Sequence, residues 1–134
     1  MATVDFYEKP GCIGNAKQKA MLRIAGHTVR GHNLLTEPWT PEKLRPFFGE
    51  QPVSEWFNPT APPITAGNVI PNQVSADEAL TLMVKQPILI RRPLLQVKQH
   101  YIAGFNLATI DAWIGLAPNS DLNQDVQTCP KHHE

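Results

Sequence analysis

Two alternating, β-prone stretches, residues 3–7 and 28–34, enclose a helical one, and that order restricts the chain more than any other feature. Between them Ala16, Ala20 and Ile24, with Met21 and Leu22, recur at helical spacing, and Gly26 closes the run. A strand, a helix and a second strand in one sheet make a βαβ unit whose strands run parallel. The link from strand to helix is Lys9-Pro10-Gly11-Cys12-Ile13-Gly14-Asn15, a Pro-Gly turn that sets Cys12 at or just before the helix start. Amides at a helix N-terminus have no intrahelical partner and carry partial positive charge. A thiol in that place is expected to be solvent-accessible, to ionise more readily than a free thiol, and to act as a nucleophile or redox group. An isolated cysteine is more often a small buried hydrophobe, but the turn chemistry favours the activated reading.

The rest of the chain supplies a second half. Thr40-Pro41-Glu42 starts a helix with a capping hydroxyl, a first-turn proline and an acid; that helix carries Leu44, Phe47 and Phe48 and stops at Gly49. A short piece at residues 53–57 follows. Residues 58–73 hold Pro59, Pro62, Pro63, Gly67 and Pro71 and read as loop, since proline lacks an N–H and fixes φ. Ser75-Ala76-Asp77-Glu78 is a capping box ahead of Ala79, Leu80, Leu82, Met83 and Val84, and Pro87 ends that helix. Residues 94–97 and 100–103 predict an antiparallel hairpin around Lys98-Gln99. Asn106 caps a last helix bearing Leu107, Ile110, Trp113 and Ile114, which Gly115 stops. The order is β-α-β, helices, β-hairpin, helix. That order predicts an α/β, thioredoxin-like fold with a helical insertion between the βαβ half and the β-hairpin-α half. One domain is expected over residues 1–117, with a polar, disordered tail at 118–134.

Composition removes several function classes. The chain has 134 residues and is long enough for a real core. Twelve basic against twelve acidic residues leave a formal net charge of zero, so nothing favours nucleic acid or an anionic membrane. No apolar run reaches spanning length, and residues 1–25 hold charges throughout and lack a signal-peptide core. The two cysteines, Cys12 and Cys129, stand in unlike contexts and make no disulfide framework, so a reducing cytoplasm is the expected location. Cys129, His132 and His133 are metal-capable but lie outside any folded frame, and no metal site is expected. Trp39, Trp56 and Trp113 read as packing residues, and Arg91 as solvated.

Several separated motifs carry a resemblance. Phe6-Tyr7 to Gly11-Cys12, and Leu82-Met83 with Pro87-Ile88-Leu89-Ile90-Arg91-Arg92-Pro93-Leu94-Leu95, resemble the two signatures of the arsenate reductase and Spx family. Glu8-Lys9-Pro10-Gly11-Cys12, Glu37-Pro38-Trp39-Thr40-Pro41, Leu44-Arg45-Pro46-Phe47-Phe48-Gly49, Glu55-Trp56-Phe57-Asn58 and Asp111-Ala112-Trp113-Ile114-Gly115-Leu116 resemble its nitrogenase-associated branch. The resemblance spans roughly residues 3 to 117. It implies that Cys12 is the nucleophile, that Arg92 stabilises the thiolate or an anionic ligand, and that Pro93 follows a cis peptide bond. Gly11, Ile13, Gly14 and Asn15 complete the implied binding turn, with Asn15 hydrogen-bonding the thiol.

Two departures shape the functional expectation. Residues 56–64 and 103–105 lack the cations with which the family's reductases hold an oxyanion, so little arsenate reduction is expected. Asn15 replaces the second thiol of a Cys-x-x-Cys pair, leaving a monothiol that can form a mixed disulfide without a local resolving partner. The favoured expectation is a monothiol oxidoreductase linked to nitrogen fixation, needing no bound cofactor and reduced by glutathione or a glutaredoxin. The alternative is a non-catalytic accessory module that binds nitrogenase components.

Overall fold

A central strand with both edges paired organises the molecule. In the computed structural model, residues 1–116 are described, and β1 (Thr3–Glu8) lies inside a four-stranded sheet of order β2-β1-β3-β4. β2 (Thr28–Asn33) runs parallel to it, with Thr3 opposite Thr28 and Glu8 opposite Asn33. β3 (Leu94–Val97) is antiparallel, with Phe6 opposite Leu95, and β4 (His100–Ala103) follows through the Lys98-Gln99 turn. The βαβ half, the insertion and the hairpin-helix half therefore occur in the order that the sequence pattern predicts.

Alternation along β1 feeds two separate cores. Val4 and Phe6 point to one face, where they pack with Leu22 of α1 (Ile13–Ile24), Leu95, Phe105 and Ile110 of α5 (Leu107–Ile114). Tyr7 points to the other face and meets Leu94, Leu44, Phe47 and Trp39 of the insertion. Burying side chains of this size stabilises by about 1.5–3 kcal/mol each relative to leaving them in water.

The insertion is short turns rather than long helices. Thr40 caps α2 (Pro41–Leu44) by accepting from the Lys43 amide at 3.1 Å, and the chain tightens into a 3₁₀ turn at Arg45–Phe48. Phe48 stacks on Trp56 with ring centroids 4.7 Å apart, and the Arg45 guanidinium covers the far side at 4.8 Å. Trp39 and Trp56 are buried and Trp113 packs against the β1–α5 core, so all serve packing. α4 (Ala76–Lys85) opens with the reciprocal Ser75–Glu78 capping box. Its hydrogen bonds to Ser75 hold the Glu78 carboxyl below the ordinary range.

Two expectations need correction. The proline-rich stretch is not all loop: α3 (Pro62–Thr65) and a 3₁₀ turn at Pro71–Gln73 form there. Both begin with proline at the first positions, where the missing N–H would have had no partner anyway. α1 starts at Ile13 with Cys12 as its cap, which bears out the placement of the cysteine just before the helix start. Arg91 is not simply solvated. Its Nη1 donates to the Glu55 carbonyl at 3.3 Å, and its side chain lies so close to Gly104 that a Cβ there would sit 2.6 Å from Nε. The tail expected to be disordered at 118–134, with Cys129, lies outside the described residues.

Asp5 shows how strand pairing sets charge. Arg30, opposite it on β2, donates from Nε and Nη2 at 2.9 Å each, and His32 Nε2 lies 2.8 Å away. Burial pushes the Asp5 carboxyl up, but the Arg30 and His32 hydrogen bonds outweigh it and hold the carboxyl below its ordinary value of 3.8. A depressed folded value means stability that is present above 3.8 and lost as pH falls through the folded value. Asp5→Asn is expected to flatten the acid limb of a pH-dependent urea unfolding series below that point while lowering stability at neutral pH.

Candidate functional site

The thiol is held by a closed set of bonds around the β1–α1 turn. β1 ends at Glu8, and Gly11 takes φ 82°, which an L side chain rarely adopts. The Cys12 amide donates back to the Lys9 carbonyl at 3.1 Å, and the Cys12 carbonyl accepts from Ala16 at 3.1 Å. Cys12 Sγ accepts from the Asn15 amide at 3.4 Å, the reach of an N-cap side chain over its first turn. Asn15 reaches the thiol through its backbone. Its side chain instead accepts from the Lys9 amide at 3.1 Å and donates to Gln18 Oε1 at 2.9 Å.

Cys12 was expected to be solvent-accessible, and it is not: it is 4% exposed. Capping turns the sulfur back onto the helix end, while Pro10, Gly11 and Ile13 take the outer corner of the turn. Gly14 and Asn15 are buried beside it. Gln18 escaped sequence reasoning. It is fully buried, and its Nε2 has no hydrogen-bond partner. The available signal was its spacing, one turn from Asn15 and one from Leu22, which places a polar residue on the sheet-facing side of α1.

The second member of the expected site comes from the bend just before β3. The Arg92–Pro93 peptide is cis, as the resemblance implied. Arg92 is 8% exposed, and among the described residues no carboxylate pairs with it; its Nε is buried without a hydrogen-bond partner. Arg92 does not bond to Cys12. It lines a cavity of about 150 Å³ with Lys9, Asn58, Thr60, Pro62 and Ile88. Cys12 is not in that lining, but Lys9 is, and Lys9 makes two backbone contacts to the thiol turn. A larger cleft of about 400 Å³ runs beside β4 past Glu50, Glu55 and Arg91, and neither Cys12 nor Arg92 borders it. Among the described residues no cluster of His, Cys, Asp or Glu could hold a metal, and no helix is long and apolar enough to cross a membrane.

Comparison with known proteins places this geometry. The ArsC family profile matches residues 15–113. The chain belongs to the ArsC family. A Rhodospirillum rubrum protein of 15.7 kDa, in the draG 3′ region and uncharacterized, is 50% identical over 97% of this chain and 90% of its own length. The global transcriptional regulator Spx of Lactiplantibacillus plantarum is 29% identical over 77% of this chain and 80% of its own. Among solved structures, a possible arsenate reductase from Streptococcus mutans superposes with a TM-score of 0.69 at 25% identity, covering 84% of this chain and 98% of that one. Arsenate reductase from Vibrio cholerae does so at 0.66 and 22% identity, over 77% and 90%. These neighbours share the α/β, thioredoxin-like fold with this ArsC-family chain. The family match begins at Asn15, so Cys12 stands just outside it.

The Asn15 side chain makes two hydrogen bonds at 1% exposure. Asn15→Ala removes both and leaves the Lys9 amide and Gln18 without partners, which is expected to cost about 2–4 kcal/mol in urea unfolding. It is also expected to raise the alkylation rate of Cys12 in the folded protein, because the turn that shields the sulfur loosens.

Proposed function

We propose that this ArsC-family protein is a monothiol oxidoreductase in which Cys12 exchanges with a disulfide of a small thiol. The observation that carries this reading is the capped thiol: Sγ faces a helix-terminal amide at 3.4 Å, and position 15 offers an amide side chain rather than a second thiol. In the exchange the Cys12 thiolate attacks one sulfur of RS–SR. The Cys12–S–S–R bond forms, the S–S bond of the disulfide breaks, and RS⁻ leaves with the electron pair. With no neighbouring thiol in the first turn, the thiolate of a different compound, R′S⁻ from glutathione or through a glutaredoxin, attacks the R sulfur of the mixed disulfide. The bond to Cys12 breaks, the Cys12 thiolate leaves with its electron pair, and RS–SR′ forms, so the second thiol supplies the reducing electrons. A reducing cytoplasm would supply that thiol. No resident cofactor is needed.

A second reading is an accessory module associated with nitrogenase. The draG 3′ region named for the Rhodospirillum relative supports a link to nitrogen fixation, and the low exposure of Cys12 favours a protein without turnover. Mass spectrometry of the Cys129→Ser chain with glutathione disulfide separates the two. The oxidoreductase reading expects a single adduct at Cys12, faster in the folded protein than in urea and absent from Cys12→Ser. An adduct that forms only on unfolding would overturn it in favour of the module.

Arsenate turnover with glutathione and glutaredoxin is expected to stay near background. Among the described residues the cavity beside the thiol turn offers the Lys9 and Arg92 cations alone, and residues 56–64 contribute none. A doubly charged oxyanion requires more donors than these. Robust turnover that disappears in Cys12→Ser would sink this expectation.

A further inference from the structure

The cavity beside the thiol turn is a built site in search of a negative charge. Arg92 is buried, unpaired among the described residues, and has an orphaned Nε. Removing a guanidinium from water without a counter-charge is costly, and an anion in the cavity offsets that cost. Lys9 borders the same space, and among the described residues it has no ion pair and no carboxylate shares the lining. Backbone pairing ties the two sides of the cavity together. Asn58 donates its amide to the Leu89 carbonyl at 2.8 Å, and Arg91 donates to the Trp56 carbonyl at 2.9 Å, so a short antiparallel contact fixes both sides.

The donor supply defines the kind of anion. Asn58 Oδ1 accepts from both the Thr60 amide, at 3.1 Å, and the Thr60 hydroxyl, at 2.9 Å. The Asn58 side-chain amide faces the Ile88 carbonyl at 3.4 Å. Thr60 is therefore engaged with Asn58, whose Nδ2 keeps one N–H beyond the Ile88 carbonyl, and the charged donors among the described lining residues are Lys9 and Arg92. That set suits a flat carboxylate, which a guanidinium fork grips through two oxygens, better than a tetrahedral dianion that requires donors all round. Pro62 and Ile88 supply an apolar wall for the carbons behind it. A space of about 150 Å³ holds about five water-sized groups at about 30 Å³ each, enough for a carboxylate and a short aliphatic stem.

We propose that Lys9 and Arg92 form a carboxylate-binding subsite that receives the free carboxylate of the thiol compound exchanged at Cys12. The nature of the compound rests on the thiol-exchange reading above; the subsite itself does not. Lys9 links the two, because its backbone holds the Cys12 turn while the residue lines the cavity.

The test uses a thiol-blocked probe, S-methylglutathione, titrated into the full-length Cys12→Ser protein and followed by amide and arginine side-chain NMR. Saturable shifts are expected at Lys9, Thr60 and Arg92. Binding should weaken roughly tenfold in both Lys9→Gln and Arg92→Gln, as loss of a charge-assisted contact implies, and stay unchanged in Lys17→Gln, an exposed lysine outside the cavity. Lys9 is only partly buried, so Lys9→Gln decides the matter if Arg92→Gln fails to fold. Absence of shifts at these residues overturns the subsite. Inorganic phosphate or arsenate binding there as tightly overturns the carboxylate assignment. Because the probe cannot exchange, binding here with no Cys12 adduct in the earlier experiment defeats the oxidoreductase reading alone; an adduct without binding defeats the subsite alone.

Discussion

The fixed C-terminal end of β1 is the constraint on which the site depends. Glu8 pairs with Asn33, and its carbonyl accepts from the Leu34 amide at 2.8 Å, so the strand cannot slide or fray where the turn begins. The next residue, Lys9, is bonded through its amide to Asn15 and through its carbonyl to Cys12. The sulfur is thus located by sheet pairing carried across a four-residue turn, and α1 follows that turn. A slip of β1 by one residue would exchange its two core faces and move the thiol with them. Fold and site therefore share one constraint.

The two halves are tied by contacts that lie far from one another in sequence. His27 Nδ1 accepts from the Ala2 amide at 3.0 Å, and its Nε2 meets the Gly115 carbonyl at 2.8 Å, so one buried ring joins the start of β1 to the end of α5. A single neutral tautomer, with the proton on Nε2, serves both. On the opposite face Phe57 bridges Ile90, which brings the insertion to the segment before β3. That bridge is what sets Asn58 and Thr60 opposite Arg92.

Much of this was legible because it is periodic or local. The alternation of residues 3–7, the helical stripe after Cys12 and the caps at Thr40, Ser75 and Asn106 each rest on neighbours within a turn of chain, and the structure keeps all of them. Lys98 in the left-handed region at φ 54° completes the two-residue hairpin turn that the flanking runs predicted. The failures at the site share one physical source. Burial of Cys12, the engagement of Asn15 by Lys9 and the isolation of Arg92 depend on which groups meet across elements, and no residue pattern near them encodes that. The one-turn helix at Pro62 was missed for a different reason. Proline was weighed as a breaker and not as the first residue of a helix, where it fits.

A sulfur that is 4% exposed reacts only with a partner that reaches it along one path, because exchange requires the incoming S–S bond to align with the attacking thiolate. Orientation of that kind is worth more than raw reactivity, since a held partner avoids the entropy of finding the approach. Two cations, Lys9 and Arg92, line the adjoining cavity. A partner gripped there is anchored beside the turn that carries the sulfur, and Lys9 belongs to both. Selectivity for a thiol compound then comes from its far end, leaving the sulfur chemistry itself unspecific. Such an arrangement would explain a buried cysteine whose helix carries Asn15 where a Cys-x-x-Cys pair has its second thiol. Under the proposed exchange the resolving thiol would come from a second molecule, and the fold would provide the geometry in which it is admitted.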